Sequence, residues 1–131
     1  MACMTNSPAP TLSFEAARPV LRHLVATLAY RASKVLRDVP ADFGSRSFGA
    51  PTRRPVLIVA HLADLMAWGQ SLARGEHVWK AGGGEEWEVE VRRFTTELAA
   101  LDRALSEARG SAGAVEMLLQ GPLADALTHV G

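Results

Sequence analysis

At 131 residues the chain has the length of one domain, and folding at that size buries roughly two-thirds of the surface an extended chain exposes. Hydrophobic residues make up 48% and charged residues 21%, the balance of a globular protein rather than a disordered or fibrous one. Fourteen Lys and Arg oppose fourteen Asp and Glu, so there is no positive excess to neutralise phosphates, and nucleic acid is disfavoured as a partner.

The first residues, MACMTNSPAPT, have neither the basic start nor the apolar stretch of a signal peptide. Their prolines and small polar side chains predict a disordered leader over residues 1–11, followed by a single domain over 12–131. The one cysteine, Cys3, falls in this leader, with no disulfide partner and no flanking cation to activate it. Cytoplasmic residence is the expectation. The longest uninterrupted apolar run, Val56 to Ala60, is too short to cross a bilayer, and no membrane partner is expected.

Helical periodicity begins at Leu21 and continues through Leu24, Val25, Leu28, Ala32, Val35 and Leu36, with Pro19 suited to a first turn. The alternative to a start at Pro19 is an earlier one at Ser13 with a kink at Pro19. Pro40 is expected to end this helix. Residues 40–54 lack a period and read as a long loop containing at most a short helical turn.

A second helix is expected from Pro55, capped by Thr52, with apolar content through Leu72 and a stop at Gly75. Its composition predicts the most buried helix. Gly82, Gly83 and Gly84 read as a flexible hinge, because no strand precedes them and no nucleotide-loop Lys follows. The clearest helix is the third: Trp87, Val91, Phe94, Leu98, Leu101, Leu105 and Ala108 form one stripe, with Glu88, Glu90, Arg92, Arg93, Glu97 and Arg103 on the other faces. The spacing resumes from Ala114 to Val130, where Gly121 and Pro122 predict a short turn and a main helix starting at Pro122. With no persistent alternation for a strand, the fold class is all-α, a four-helix bundle.

Two features carry potential chemistry. On a helix, His61 shares a face with Leu57, Ile58, Asp64, Leu65 and Trp68, so its imidazole is expected to point at the core and to need either a hydrogen-bond partner or a metal. Asp125 and His129, four apart, project from one helical face. They suit either an ordinary Asp–His ion pair or two ligands of one cation, with His61 as a third from a facing helix and positions left for water or substrate. His23 reads as exposed and His77 has no spacing partner. Tyr30, Arg31, Arg46, Arg53 and Arg54 read as solvated surface, with the option that Tyr30 and Arg31 border a pocket and that the other arginines meet an anionic cosubstrate. Trp68, Trp79 and Trp87 are expected in the core or at its rim, with the alternative that they wall a ligand pocket.

AHLADLMAW around His61 and GPLADALTHVG at the C-terminus resemble the DinB-like superfamily, which includes mycothiol- and bacillithiol-dependent enzymes. The resemblance runs from about Leu21 onward. It implies a four-helix bundle with a long crossover connection, and a divalent-metal site in which His61 matches the first ligand and His129 the second His of an HxxxH pair. Asp125 stands where the first His of that pair is usual, a change that leaves a competent ligand for Zn, Ni, Mn or Fe but alters the charge and softness of the set.

Relatives commonly continue with Gln and a further amphipathic stretch, so a truncated C-terminus is an expectation here. The resemblance implies a metal-dependent enzyme, a thiol-dependent transferase or isomerase or a hydrolase, acting on a small-molecule substrate with a low-molecular-weight thiol as a possible cosubstrate. The alternative is a non-catalytic helical binding or dimerisation module, and a homodimer is the expected assembly.

Overall fold

A computed structural model describes residues 12–131; the leader predicted over 1–11, with Cys3, lies outside the described residues. The described chain is all-helical, with 71% of residues in helix and no strand. Helix α1 spans Phe14–Leu36, α2 Pro55–Ala73, α3 Trp87–Glu107, α4 Ala112–Leu118 and α5 Ala124–Val130. A π-helical turn, Leu119–Leu123, joins α4 to α5 in one rod, and one short 3-10 turn, Phe43–Ser45, lies in the connection from α1 to α2.

Of the two starts the pattern allows for the first helix, the structure has the earlier. Ser13 is the N-cap and its hydroxyl accepts a bond from the Ala16 amide at 3.1 Å, satisfying one of the donors a helix leaves free at its start. Pro19 therefore lies inside α1. The helix ends at Leu36 rather than at Pro40, because Arg37 is extended and Asp38 has a φ of 55°, a conformation Asp tolerates better than most residues.

The expected Thr52 cap is not made. Arg54 holds the N-cap position of α2 without a side-chain bond, while the Thr52 amide is used in a turn to the Gly49 carbonyl at 2.8 Å. The predicted break before Pro122 is also absent. Proline lacks an N–H and its ring crowds the carbonyl four residues back, and the wider π turn absorbs both effects while the rod continues.

Cross-helix partners give the topology. Arg18 donates to the Leu105 and Ala108 carbonyls and Arg22 grips Asp102, so α1 and α3 are antiparallel, and the Arg18 guanidinium occupies carbonyls freed at the end of α3. Asp64 pairs with Arg93, and Gln70 with Glu97, so α2 and α3 are parallel. His61 meets Asp125, and Trp68 meets Gly121, so the C-terminal rod runs against α2. The backbones of α1 and α2 are not in contact and neither are those of α3 and α4, which places each pair on a diagonal. The order is up, down, down, up.

Because α2 and α3 are parallel, the segment between them must travel the length of the bundle. It does so along α2: the Val78 amide bonds Ser71 Oγ at 3.1 Å, the Gly82 amide Asp64 Oδ2 at 3.2 Å, and the Gly84 amide Glu90 Oε1 at 3.1 Å. The glycine run read as a hinge is thus held in place by the protein's own carboxylates. Arg93 completes the clamp, pairing with Asp64 at 2.8 Å and Glu90 at 2.7 Å and donating to the Ala60 and Gly82 carbonyls. Burial pulls the Arg93 guanidinium downward, but its bonds to Asp64 and Glu90 outweigh that and raise it above its ordinary value.

One core runs through all these helices. Leu21, Leu28, Leu65, Met66, Phe94, Leu101, Leu105, Leu118 and Leu123 are all buried to within 1%, so the centre of the α3 stripe is taken up inside the chain. Helix α2 has the length and composition of a membrane span, but 67% of its most apolar window is buried within the bundle, the placement of a core helix.

Candidate metal centre

The site lies where α2 faces α5. His61 comes from the middle of α2, and Asp125 and His129 sit one turn apart on α5, whose approach to α2 is set by two glycines. Gly69 faces Leu101 and Pro122, and Gly121 faces the Trp68 ring, where an added Cβ would lie 2.8 Å from Cη2. These close contacts bring the rod near enough to α2 for short side chains to meet across it.

His61 Nε2 donates to Asp125 Oδ2 at 3.0 Å, and His129 Nε2 to Asp125 Oδ1 at 3.1 Å. The two imidazoles stand edge to face, with ring centroids 5.0 Å apart and planes at 82°. One ligand atom from each residue lies within 4.8 Å of the others. All three side chains remain partly open, at 23%, 42% and 28% exposure for His61, Asp125 and His129. His61 is therefore not a core residue, as its helical face suggested, but a boundary residue: Leu57 beside it is 44% exposed.

The donor set of two imidazoles and a carboxylate is one that Zn²⁺ and similar cations accept. In a tetrahedral set, two ligands each at about 2.1 Å from an ion stand about 3.4 Å apart, so ligand atoms that now lie within 4.8 Å of one another would close by up to about 1.4 Å on binding. Each imidazole already turns Nε2 inward because a different oxygen of Asp125 accepts from it. The same nitrogens must give up their protons to become ligands.

Sequence reasoning missed the crossover's contribution. The Trp79 ring meets His61 edge to face at 6.0 Å, Trp68 packs on Trp79 at 5.7 Å, and His77 packs on Trp68 at 5.5 Å. Residues 77 and 79 belong to a segment without period, and only the parallel course of α2 and α3 brings them here. Glu90, placed on an outer face by spacing, is 3% exposed, buried by the same segment.

The remaining candidates lie elsewhere. His23 is exposed, the Tyr30 ring faces Lys34 of its own helix, and Arg46 pairs with Asp42 at 3.1 Å. Trp87 packs against Phe43 with centroids 5.6 Å apart. On the other side of His129, an apolar cleft of about 340 Å³ opens between the end of α1, the start of α2 and Trp87.

Comparison of the chain with protein-family models, with curated proteins and with solved structures finds no match.

Proposed function

We propose that the protein is a DinB-like, metal-dependent enzyme whose divalent ion is held by His61, Asp125 and His129. The observation that carries this reading is the meeting of two imidazole nitrogens and a carboxylate from separate helices around one point. An all-helical chain with parallel α2 and α3 and a long crossover between them accords with the bundle that the sequence resemblance implies.

A divalent ion bound there would lower the pKa of a coordinated thiol or water and so supply a nucleophile at neutral pH. The chain's own residues prepare for that. Asp125 orients both rings in the ion's absence, Trp79 covers one edge of His61, and the cleft beside His129 gives an apolar substrate a place from which water is displaced. With three protein ligands, positions remain for a thiol cosubstrate and a substrate atom, the economy of a catalytic rather than a closed structural site. The corresponding activity is a thiol-dependent transfer or isomerisation.

Metal analysis of protein purified without a histidine tag tests the reading. About one equivalent of a divalent metal in the parent and a negligible amount in His61→Ala is the expected result. Equal and negligible metal in both proteins, after incubation with Zn²⁺, Ni²⁺, Mn²⁺ and Fe²⁺ in turn, would remove it.

A further inference from the structure

From the cleft beside His129 we infer that the protein binds a small amphiphilic carboxylate, with its acid group on Arg53 and its apolar body inside the bundle end. The walls are Val35, Phe43, Phe48, Ile58 and Trp87, from three helices and the connection between α1 and α2. No acidic residue lines the space; Thr52, Arg53 and His129 bring its only hydrogen-bonding side chains besides the Trp87 indole.

Arg53 is the distinctive member. It is exposed and is the one fixed charge in the lining, whereas Arg46 on the same connection is neutralised by Asp42. Arg53 makes no side-chain hydrogen bond or ion pair among the described residues, and neither does the adjacent Thr52 hydroxyl. A guanidinium without an internal counter-ion at an apolar cleft complements a carboxylate, which it can hold through two parallel bonds.

The volume, about 340 Å³, is at the small end of the roughly 300–1,000 Å³ range of ligand pockets. It selects a body of about ten non-hydrogen atoms rather than a long lipid chain. Val35 and Phe48 are 58% and 56% exposed, and a ligand there would cover apolar surface now in water.

The inference extends the proposed function by naming the substrate class that would lie beside the ion through His129. Binding itself needs only the cleft, so the two can fail separately. Calorimetric titration with octanoate, octanol and octylammonium, on metal-free and metal-loaded protein, is the test. Saturable octanoate binding is expected in both forms, with octylammonium excluded. Arg53→Gln should weaken octanoate about tenfold, the scale of one charge-assisted bond, and leave octanol unchanged. Phe48→Asp, at an exposed wall position that the core does not need, should weaken both.

Octanoate and octanol binding equally, with no response to Arg53→Gln, would overturn the carboxylate. No binding by either form would overturn the site. So would sedimentation showing a dimer that Phe48→Asp dissociates, since a second copy would then fill the cleft. Octanoate binding without any metal uptake would leave this inference standing and remove the metal reading alone.

Discussion

Asp125 accepts from two imidazoles at once, Oδ2 from His61 at 3.0 Å and Oδ1 from His129 at 3.1 Å. A single carboxylate thereby ties α2 to the last turn of α5 and presets both rings. Changing it should affect metal affinity far more than folding, because its side chain is 42% exposed.

Asp125→Ala is accordingly expected to lower affinity by more than about a hundredfold, since even the loss of an outer partner of a ligand costs on the order of 10- to 100-fold. Asp125→His should restore an ion, with a preference moved toward metals that favour imidazole over carboxylate. Competition titration against a chelator of known affinity checks both.

Metal uptake should weaken on acidification, because ions and protons compete for the same Nε2 atoms of His61 and His129. Proton release on Zn²⁺ addition, measured in two buffers of different ionisation enthalpy, provides the check; uptake with no proton release and no pH dependence would be contrary to ligation by these rings.

Gly121 lies against the Trp68 ring, with an added Cβ 2.8 Å from Cη2 and 3.0 Å from Cζ3. Trp68 is wedged against Trp79 and His77, so the ring has little room to yield. Gly121→Ala is expected to destabilise the fold by about 1–3 kcal/mol, the usual cost of overpacking, in urea denaturation, and to reduce metal affinity by pushing α5 away from His61.

Among the described residues Arg93 is the one cation paired with Asp64 and Glu90, which are 6% and 3% exposed. Removing it in Arg93→Met should cost about 3–5 kcal/mol by leaving two buried carboxylates with the Gly82 and Gly84 amides but no counter-charge. The double variant Asp64→Asn with Arg93→Met should recover part of that loss. Both are read by chemical denaturation, with the crossover's protection from proteolysis as a second readout.

The Asp102 carboxyl is held below its ordinary value chiefly by the bonds from Arg22, and further by that cation's charge. A carboxyl lowered in the folded state contributes stability above its unfolded value of about 3.9 and loses it as pH falls through the folded one. Asp102→Asn should therefore flatten the acid limb of stability below about pH 4, with little change near neutrality because the pair is solvent-screened.

How far the sequence could be read follows from where the information lies. Helix α3 was legible because Phe94, Leu98, Leu101 and Leu105 bury one face of a long periodic segment. Asp125 and His129 were legible as a pair because four residues on a helix fix their separation. His61 could be named but not oriented: its face contains Asp64, which answers to Arg93, and Leu57, which faces solvent. Trp79, His77 and the Asp64–Arg93–Glu90 clamp were illegible, because their contacts depend on the course of an aperiodic connection that only the packing of α2 beside α3 determines. The π turn at Pro122 was missed for a related reason: proline rules anticipate a break, whereas a rod already anchored by Leu118, Leu123 and Ala126 in the core accommodates the defect.

Zinc K-edge X-ray absorption on the stoichiometrically loaded protein tests the central claim most directly. Two imidazoles and at least one oxygen at about 2.0–2.2 Å are expected, with one imidazole lost in His61→Ala and one in His129→Ala. A shell of oxygens alone, or an imidazole count that neither variant changes, would contradict it.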